Sequence, residues 1–384
     1  MENPSIKLGD GNWSAKDSKL LGFRPIVNKV APIEFDVSRA STATRVNRDG
    51  LIESVANNIA RVDFADDVNG SLLLEPQGTN LVTYSELFLS GWWSKDNGVT
   101  ITDNNETSPK GDLTGSLISY DVNSVAIYKA ALNLTGQYTF SIYLKASGSN
   151  IGKTVQVDVN GTLYNVTLTS KWIRSTFQTT NLNLLQITNR GASTISTGEY
   201  YAFGAQLEQS SVATSYIPTS GTIVTRLADA VSGAGDVNTI NSEENVLYSE
   251  LIFSDSYLSS LSGISISDGT NSNEILLYAD SSVNSLKFFV TIGGVNQVNT
   301  LKAGVILGSL NKIAIRFELN NYAVFLNGVK IISDLSVNAP PINTFNDFSF
   351  SRGNGSNNFY GKVKDLRIYN TALTDSELTQ LTTI

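Results

Sequence analysis

Residues 139–168 read TFSIYLKASGSNIGKTVQVDVNGTLYNVTL, and their spacing decides the fold. Phe140, Ile142 and Leu144 alternate with Thr139, Ser141, Tyr143 and Lys145, and Val155, Val157 and Val159 alternate with Gln156 and Asp158. Successive side chains on a strand point to opposite faces, so a period of two describes strands with one dry and one wet face. Asn160-Gly161 is a dipeptide favoured in two-residue hairpin turns, where both central residues need positive φ. Tyr164, Val166 and Leu168 then alternate with Asn165 and Thr167. Residues 171–177 and 199–208 read as further strands, and nothing over 86–220 sustains an apolar period of 3.6. The stretch 86–230 is expected to be an antiparallel β-sandwich.

Residues 240–384 repeat the style. Ile313, Ile315, Phe317 and Leu319 alternate with Lys312, Ala314, Arg316 and Glu318. Asn320-Asn321 and Asn327-Gly328 then turn the chain twice, which predicts a three-stranded meander. Thr374-Asp375-Ser376-Glu377 has the spacing of a capping box ahead of Leu378 and Leu381, so one short helix is expected there. Ser232-Gly233-Ala234-Gly235-Asp236 reads as a flexible boundary between two sandwiches. Residues 36–85 alternate turn signals with short apolar runs too sparse for a core, and are expected to form a β connector paired with another subunit or domain. Residues 1–35 are expected to be irregular; they either order on a partner surface as an arm or pack as a leader.

Composition removes several chemistries. The chain has 384 residues, net charge −8 and neither Cys nor His. Disulfides, thiolate nucleophiles, Ser-His-Asp triads and the commonest transition-metal ligand are therefore excluded. Ser, Thr and Asn supply 118 residues while charged residues make only 16%, so polarity comes from neutral groups. An acidic chain with dispersed Lys and Arg is a poor partner for nucleic acid. No apolar run approaches the ~20 residues that span a membrane, and Met-Glu-Asn-Pro-Ser lacks the basic and apolar regions of a signal peptide. Release by lysis is the expected route out of a cell.

The wording of several segments adds to their periodicity. SRASTATRVNRDGLIESV from Ser38, NIARVDF at 58–64 and LLLEPQGTNLVTYSE at 72–86 resemble a connector of bacteriophage tail and fibre proteins. YTFSIYLKAS at 138–147, Trp172 with Arg174, and FGAQLEQSSVATSYIPTSGTIVTRLAD at 203–229 are similar to the jelly-roll, carbohydrate-binding-type module that follows it. FLNGVKI at 325–331 and FYGKVKDLRIYNTALTDSEL at 359–378 resemble the end of a laminin-G/concanavalin-like lectin sandwich. The resemblance implies an all-β virion fibre or spike. An N-terminal arm (1–35) would dock on other virion proteins, a connector (36–85) would pair between subunits, and two sandwiches (86–230 and 240–384) would face a host-surface glycan. It also implies a homo-oligomer, usually a trimer, and no heptad run is present to build it as a coiled coil.

Sugar recognition needs a flat aromatic for the CH-rich face of a pyranose and planar polar groups for its hydroxyls. Trp92 and Trp93 have this composition, with Lys95, Asp96 and Asn97 behind them. On a strand one of the two would pack inward and the other stay more exposed; the plain alternative is that both are structural. Trp172 is expected in the core. Arg352, Asn354 and Asn357 lie in an amide-rich loop that either holds a sugar or is a solvated turn. Trp13, Leu20, Leu21 and Phe23 are the candidates for docking the arm. Asp268, Asp280 and Asp347 are scattered, so no metal or other cofactor is expected. No paired-carboxylate strand of a concanavalin-like glycosidase is present, and a depolymerase is the least favoured reading.

Overall fold

The computed structural model describes residues 2–26, 29–191, 195, 197–254, 262–280 and 284–384. The chain divides into two compact units, one of residues 1–42, 55–76 and 228–384, the other of 43–54 and 77–227. Both are antiparallel β-sandwiches, in agreement with the expected all-β class.

In the first unit, a large sheet runs in the order Ala230–Ser232, Lys29–Ser38, Lys19–Ile26, Ile6–Gly9, Gly361–Tyr369, Glu244–Phe253, Asn311–Glu318, Tyr322–Leu326, Val329–Asp334. A five-stranded sheet of Val295–Ala303, Ser285–Ile292, Glu274–Asp280, Ser262–Ser267 and Asp347–Ser349 faces it. Leu247, Ile313, Ile315, Phe317, Leu366 and Ile368 of the large sheet share one buried core with Ile264, Ile266, Ile275, Leu277 and Phe288 of the small one. The meander forms as read, with Asn320, Asn327 and Gly328 all at positive φ. The helix is Asp375–Thr382, its capping box between Thr374 and Glu377 complete, and Leu378 packs on Val246, Tyr248, Ala314 and Phe325 on the back of the large sheet.

The N-terminal stretch departs from expectation. Ile6–Gly9 pairs with Gly361–Tyr369 on one side and reaches Lys19–Ile26 on the other, and Lys19–Ile26 pairs with Lys29–Ser38, so these segments are sheet strands and not an irregular arm. The reason is a sparse alternation: Ile6, Leu8, Leu20 and Phe35 all have 0% exposure in the core, and burying each such side chain stabilises the fold by roughly 1.5–3 kcal/mol. The expected connector is likewise not one separate element, since 36–42 and 55–76 belong to the first unit and 43–54 and 77–85 to the second. Nor is 232–236 a flexible linker: Ala230–Ser232 pairs with residues 36–38, and Ala234 is buried and bridges Phe348.

Four of the segments singled out by their wording meet inside the first unit. Arg39 Nη1 donates to Asp229 Oδ1 at 2.9 Å, Arg61 Nη1 to Glu75 Oε2 at 2.8 Å, and Arg61 Nη2 to Asp229 Oδ2. All four residues are buried. The facing carboxylates of Glu75 and Asp229 outweigh desolvation and hold the Arg61 guanidinium firmly charged. Two cations and two anions make a neutral cluster that ties 36–42, 55–76 and the start of 228–384 together.

The second unit opposes two five-stranded sheets. One runs Ser94–Lys95, Ala126–Lys129, Leu185–Thr188, Thr154–Val159, Thr162–Thr167; the other runs Val99–Glu106, Gly115–Tyr120, Gly198–Glu208, Leu134–Ala146, Ile173–Leu182. Asn160 and Gly161 sit at φ 55° and 90°, as the hairpin reading requires. The second sheet's expected wet face is not fully wet. Thr139 and Ser141 are buried, because the chain after Glu208 folds back over them. Glu208 accepts from Thr214 N and Oγ1, Gln206 accepts from Ile217 N at 2.6 Å, and Asn80 reaches both Ala205 and Ile217. Polar side chains thus hold a polypeptide cover that apolar ones would hold elsewhere.

Candidate functional site

Trp92 and Trp93 both lie in the second unit's core, 9% and 6% exposed. Their rings meet edge to face at 4.6 Å, and Trp93 stacks on Phe88 at 5.3 Å. The expectation that one would be exposed assumed a strand, but residues 91–93 precede the strand and form a turn, where adjacent side chains can turn inward together. Lys129 Nζ sits 5.4 Å from the Trp92 ring centre. Trp172, expected in the core, is only partly buried: its Nε1 donates to Thr107 O at 2.8 Å.

The 352–358 loop is built from its own hydrogen bonds. Arg352 binds the fully buried Glu274 through Nη2 at 2.7 Å and Nε at 3.1 Å, which raises the guanidinium further above its ordinary value. Asn354 Oδ1 accepts from Ser356 N and Oγ at 3.0 and 2.6 Å. Asn357 adopts φ 55° and its carbonyl accepts from Gly263 N. A Cβ on Gly353 would lie 2.2 Å from the Thr270 carbonyl oxygen, so the loop is pressed against 268–273. Arg352 and Asn354 are thus engaged in bonds that shape the turn itself. Trp13, among the arm candidates, is partly buried and donates to Asn69 O at 2.9 Å. Leu20 is core, whereas Leu21 and Phe23 are half-buried.

The arrangement that composition did not single out lies on the second unit's first-named sheet, on the face away from the core. Val155, Val157, Leu185 and Ile187 turn into the core, so Gln156, Asp158, Gln186 and Thr188 turn to the other face, where they too are buried, with Gly191 against Gln156 and Ile195 N donating to Thr154 O. Register places Tyr128 beside Gln186, Gln186 beside Asp158, and Thr188 beside Gln156. The side chains form a chain of hydrogen bonds across strands. Arg190 Nη2 donates to Asp96 Oδ2 at 2.8 Å and Nη1 to Gln186 Oε1 at 2.6 Å. Gln186 Nε2 donates to Asp158 Oδ2 at 2.7 Å, and Gly161 N to Asp158 Oδ1 at 2.7 Å. Gln156 Nε2 donates to the exposed Asn165 at 3.0 Å. The network satisfies side chains that are themselves buried, and Arg190 and Asp96 at its end stay partly exposed. The only signal in the sequence was that Gln156, Asp158 and Asn165 were the polar half of the alternation.

At the edge of the same unit, a groove of about 340 Å³ is lined by Gln137, Thr162, Gln178, Thr179 and Thr180. It holds carboxamides and hydroxyls and no charge. Among the described residues no three Asp, Glu, His or Cys side chains cluster in a way that suits a metal ion, and no helix is long and apolar enough to cross a membrane.

Comparison with known proteins places part of this architecture. Residues 255–379 match a laminin G model of the concanavalin A-like lectin/glucanases superfamily. The matched stretch lies within the first unit. Among solved structures, the chain is similar to the Ruminococcus gnavus IT-sialidase CBM40 bound to α2,3-sialyllactose, at 20% identity over 38% of this chain and 84% of that one, with a TM-score of 0.32. It is similar also to domain 4 of the extracellular arabinanase AbnA of Geobacillus stearothermophilus, in complex with arabinotriose, at 16% identity over 41% and 73%, TM-score 0.33. A third is the SAP-like pentraxin of Limulus polyphemus, at 12% identity over 36% and 70%, TM-score 0.29. No curated protein sequence matches the chain.

Proposed function

We propose that this chain is a non-catalytic glycan-binding protein. The observation that carries the reading is the concanavalin A-like match over 255–379, which supports a lectin-type role for the first unit. A glycan array probed with the intact chain tests the proposal. Signal above background for a defined class of glycan supports it, and background signal throughout defeats it.

The finer part of the reading is a bacteriophage fibre or spike, trimeric, exposed on the virion and released by lysis. The wording of 38–86 and 203–229 supports it. Docking through a free N-terminal arm is not included, because Ile6–Gly9 and Lys19–Ile26 are sheet strands. Immunolabelling of purified particles together with the mass of the isolated protein in solution tests location and stoichiometry. The burial of Trp92 and Trp93 favours a second reading, a structural decoration without ligand. Loss of stability but not of host adsorption in separate Trp92 and Trp93 variants, together with a silent array, would establish that instead.

A further inference from the structure

One margin of the second unit carries an open polar groove. Thr162–Thr167 is the last strand of one sheet and Ile173–Leu182 the last of the other, and residues of both line the groove of about 340 Å³. Resting on the glycan-binding reading above, we infer that this groove is a binding subsite for an uncharged mono- or disaccharide unit, held through its hydroxyls.

The site is built on strands, which place side chains more precisely than loops. A register shift between Leu134 and Gln137 marks a bulge, with Gly136 at φ 107°, and a bulge re-aims the side chains beside it. Gly136 N donates to Asn181 Oδ1 at 3.1 Å, and Gln137 lies directly across from Thr180. On the other side, Asn183 N donates to Asn160 Oδ1 at 3.1 Å, which ties the hairpin turn ahead of Thr162 to the end of the facing strand. Tyr164 packs on Phe177 at 5.2 Å and donates to Gln178 O at 3.3 Å, so the two edge strands are joined along their length as well.

Solvent reaches the whole lining: Thr162, Gln178 and Thr180 are exposed, Gln137 and Thr179 half-buried. Its polar capacity is largely open. Among the described residues, the side chains of Gln137, Thr162 and Thr180 bond to no protein group, and Gln178 donates from Nε2 to Ser211 O while keeping Oε1. Thr179 alone spends its proton locally, on Asn181 O at 3.0 Å. A sugar hydroxyl both donates and accepts, and a carboxamide or a hydroxyl can answer it in either sense. The lining has no cation to meet a carboxylate or phosphate, and no ring or aliphatic wall to hold an apolar molecule. Its volume falls at the lower end of the roughly 300–1,000 Å³ of small-molecule sites, which suits a short unit.

The test titrates the full chain, isotopically labelled, with maltotriose, cellotriose, galactobiose and arabinotriose to tens of millimolar. Nuclear magnetic resonance follows the carboxamides of Gln137 and Gln178, beside a glycan array with the same protein. Saturable shifts at both carboxamides with at least one sugar, insensitive to salt because no charge takes part, are the expected result. Gln137→Ala and Thr180→Val, read at Gln178, should each weaken binding about five- to tenfold, the scale of one lost hydrogen bond, with the melting temperature unchanged. Thr102→Val, on the opposite edge strand of the same sheet, should leave it unaltered. Array signal without a shift at either carboxamide, or shifts whose midpoint is the same in both variants, overturns the groove and leaves glycan binding standing. Silence in both assays overturns the glycan-binding reading and the inference with it.

Discussion

Replacing Asp229 by Asn tests whether the buried charges hold the first unit together. The wild-type cluster is neutral, with Arg39 and Arg61 against Glu75 and Asp229, all at most 7% exposed. Each ion pair supplies a gross attraction of about 4 kcal/mol at an effective dielectric of ~20, most of it offset by desolvation. Asp229 also accepts from the backbone N of Glu75 at 2.9 Å. The Asn variant keeps the shape but leaves one uncompensated buried positive charge, which costs about 3–5 kcal/mol. Against a total stability of about 5–15 kcal/mol this is a large fraction. For a unit of this size it lowers the melting temperature by roughly 6–20 °C. Scanning calorimetry measures the shift. A second variant, Asp229→Asn with Arg39→Met, restores neutrality and should recover at least half of the loss, because apolar replacement of a buried pair is close to neutral. A single variant that melts within about 2 °C of wild type, or a double variant whose cost is the sum of its parts, would refute the reasoning.

Thr374→Ala removes the acceptor for Glu377 N at the start of the helix and should cost about 1 kcal/mol by urea denaturation; an unchanged midpoint would show that the helix is held by Leu378 alone. Gly353→Ala places a methyl 2.2 Å from the Thr270 carbonyl, so a loss of roughly 1–3 kcal/mol is expected from the forced backbone shift, and a neutral result would mean that the two loops do not press together. Burial raises the phenols of Tyr120, Tyr200, Tyr216 and Tyr322 above their ordinary value. A raised folded value gives stability that is complete below the unfolded value of about 10 and lost as pH rises towards the folded one. Ultraviolet titration should therefore show these phenolates only together with alkaline unfolding; reversible ionisation of all 15 tyrosines with the far-UV spectrum intact would contradict the burial.

What the sequence disclosed was local. Periodicity of two, Asn-centred turns and one capping box are properties of neighbours, and 154–167, 311–334 and 374–382 follow them. What it hid was long-range. Ile6 and Leu8 carry too little apolar weight to announce a strand, and only the partner Leu366–Ile368, over 350 positions away, makes them core. Trp92 and Trp93 drew attention by residue type, yet their direction depended on a turn that the pattern left undefined. Arg39, Arg61, Glu75 and Asp229 stand in four separate segments, and nothing local distinguishes a lysine-like surface charge from one destined for a closed cluster.

The same distinction explains why the polar network was harder to see than the core. A core residue is apolar in every strand that contributes to it, so each strand carries its own evidence. The network is made of residues that look like ordinary solvent-facing polar positions, and it exists only when register sets them side by side. Asp158 joins it because it lies across from Gln186, and Gln186 because Arg190, four residues on, turns back to Asp96. Substituting the alternating partner therefore discriminates between the two kinds of position. Val157→Ala should destabilise the unit by about 2 kcal/mol, by opening a cavity in a fully buried site. Asn165→Ala, at an exposed position on the neighbouring strand, should leave the urea midpoint unchanged, and a loss as large as that of Val157→Ala would refute the distinction.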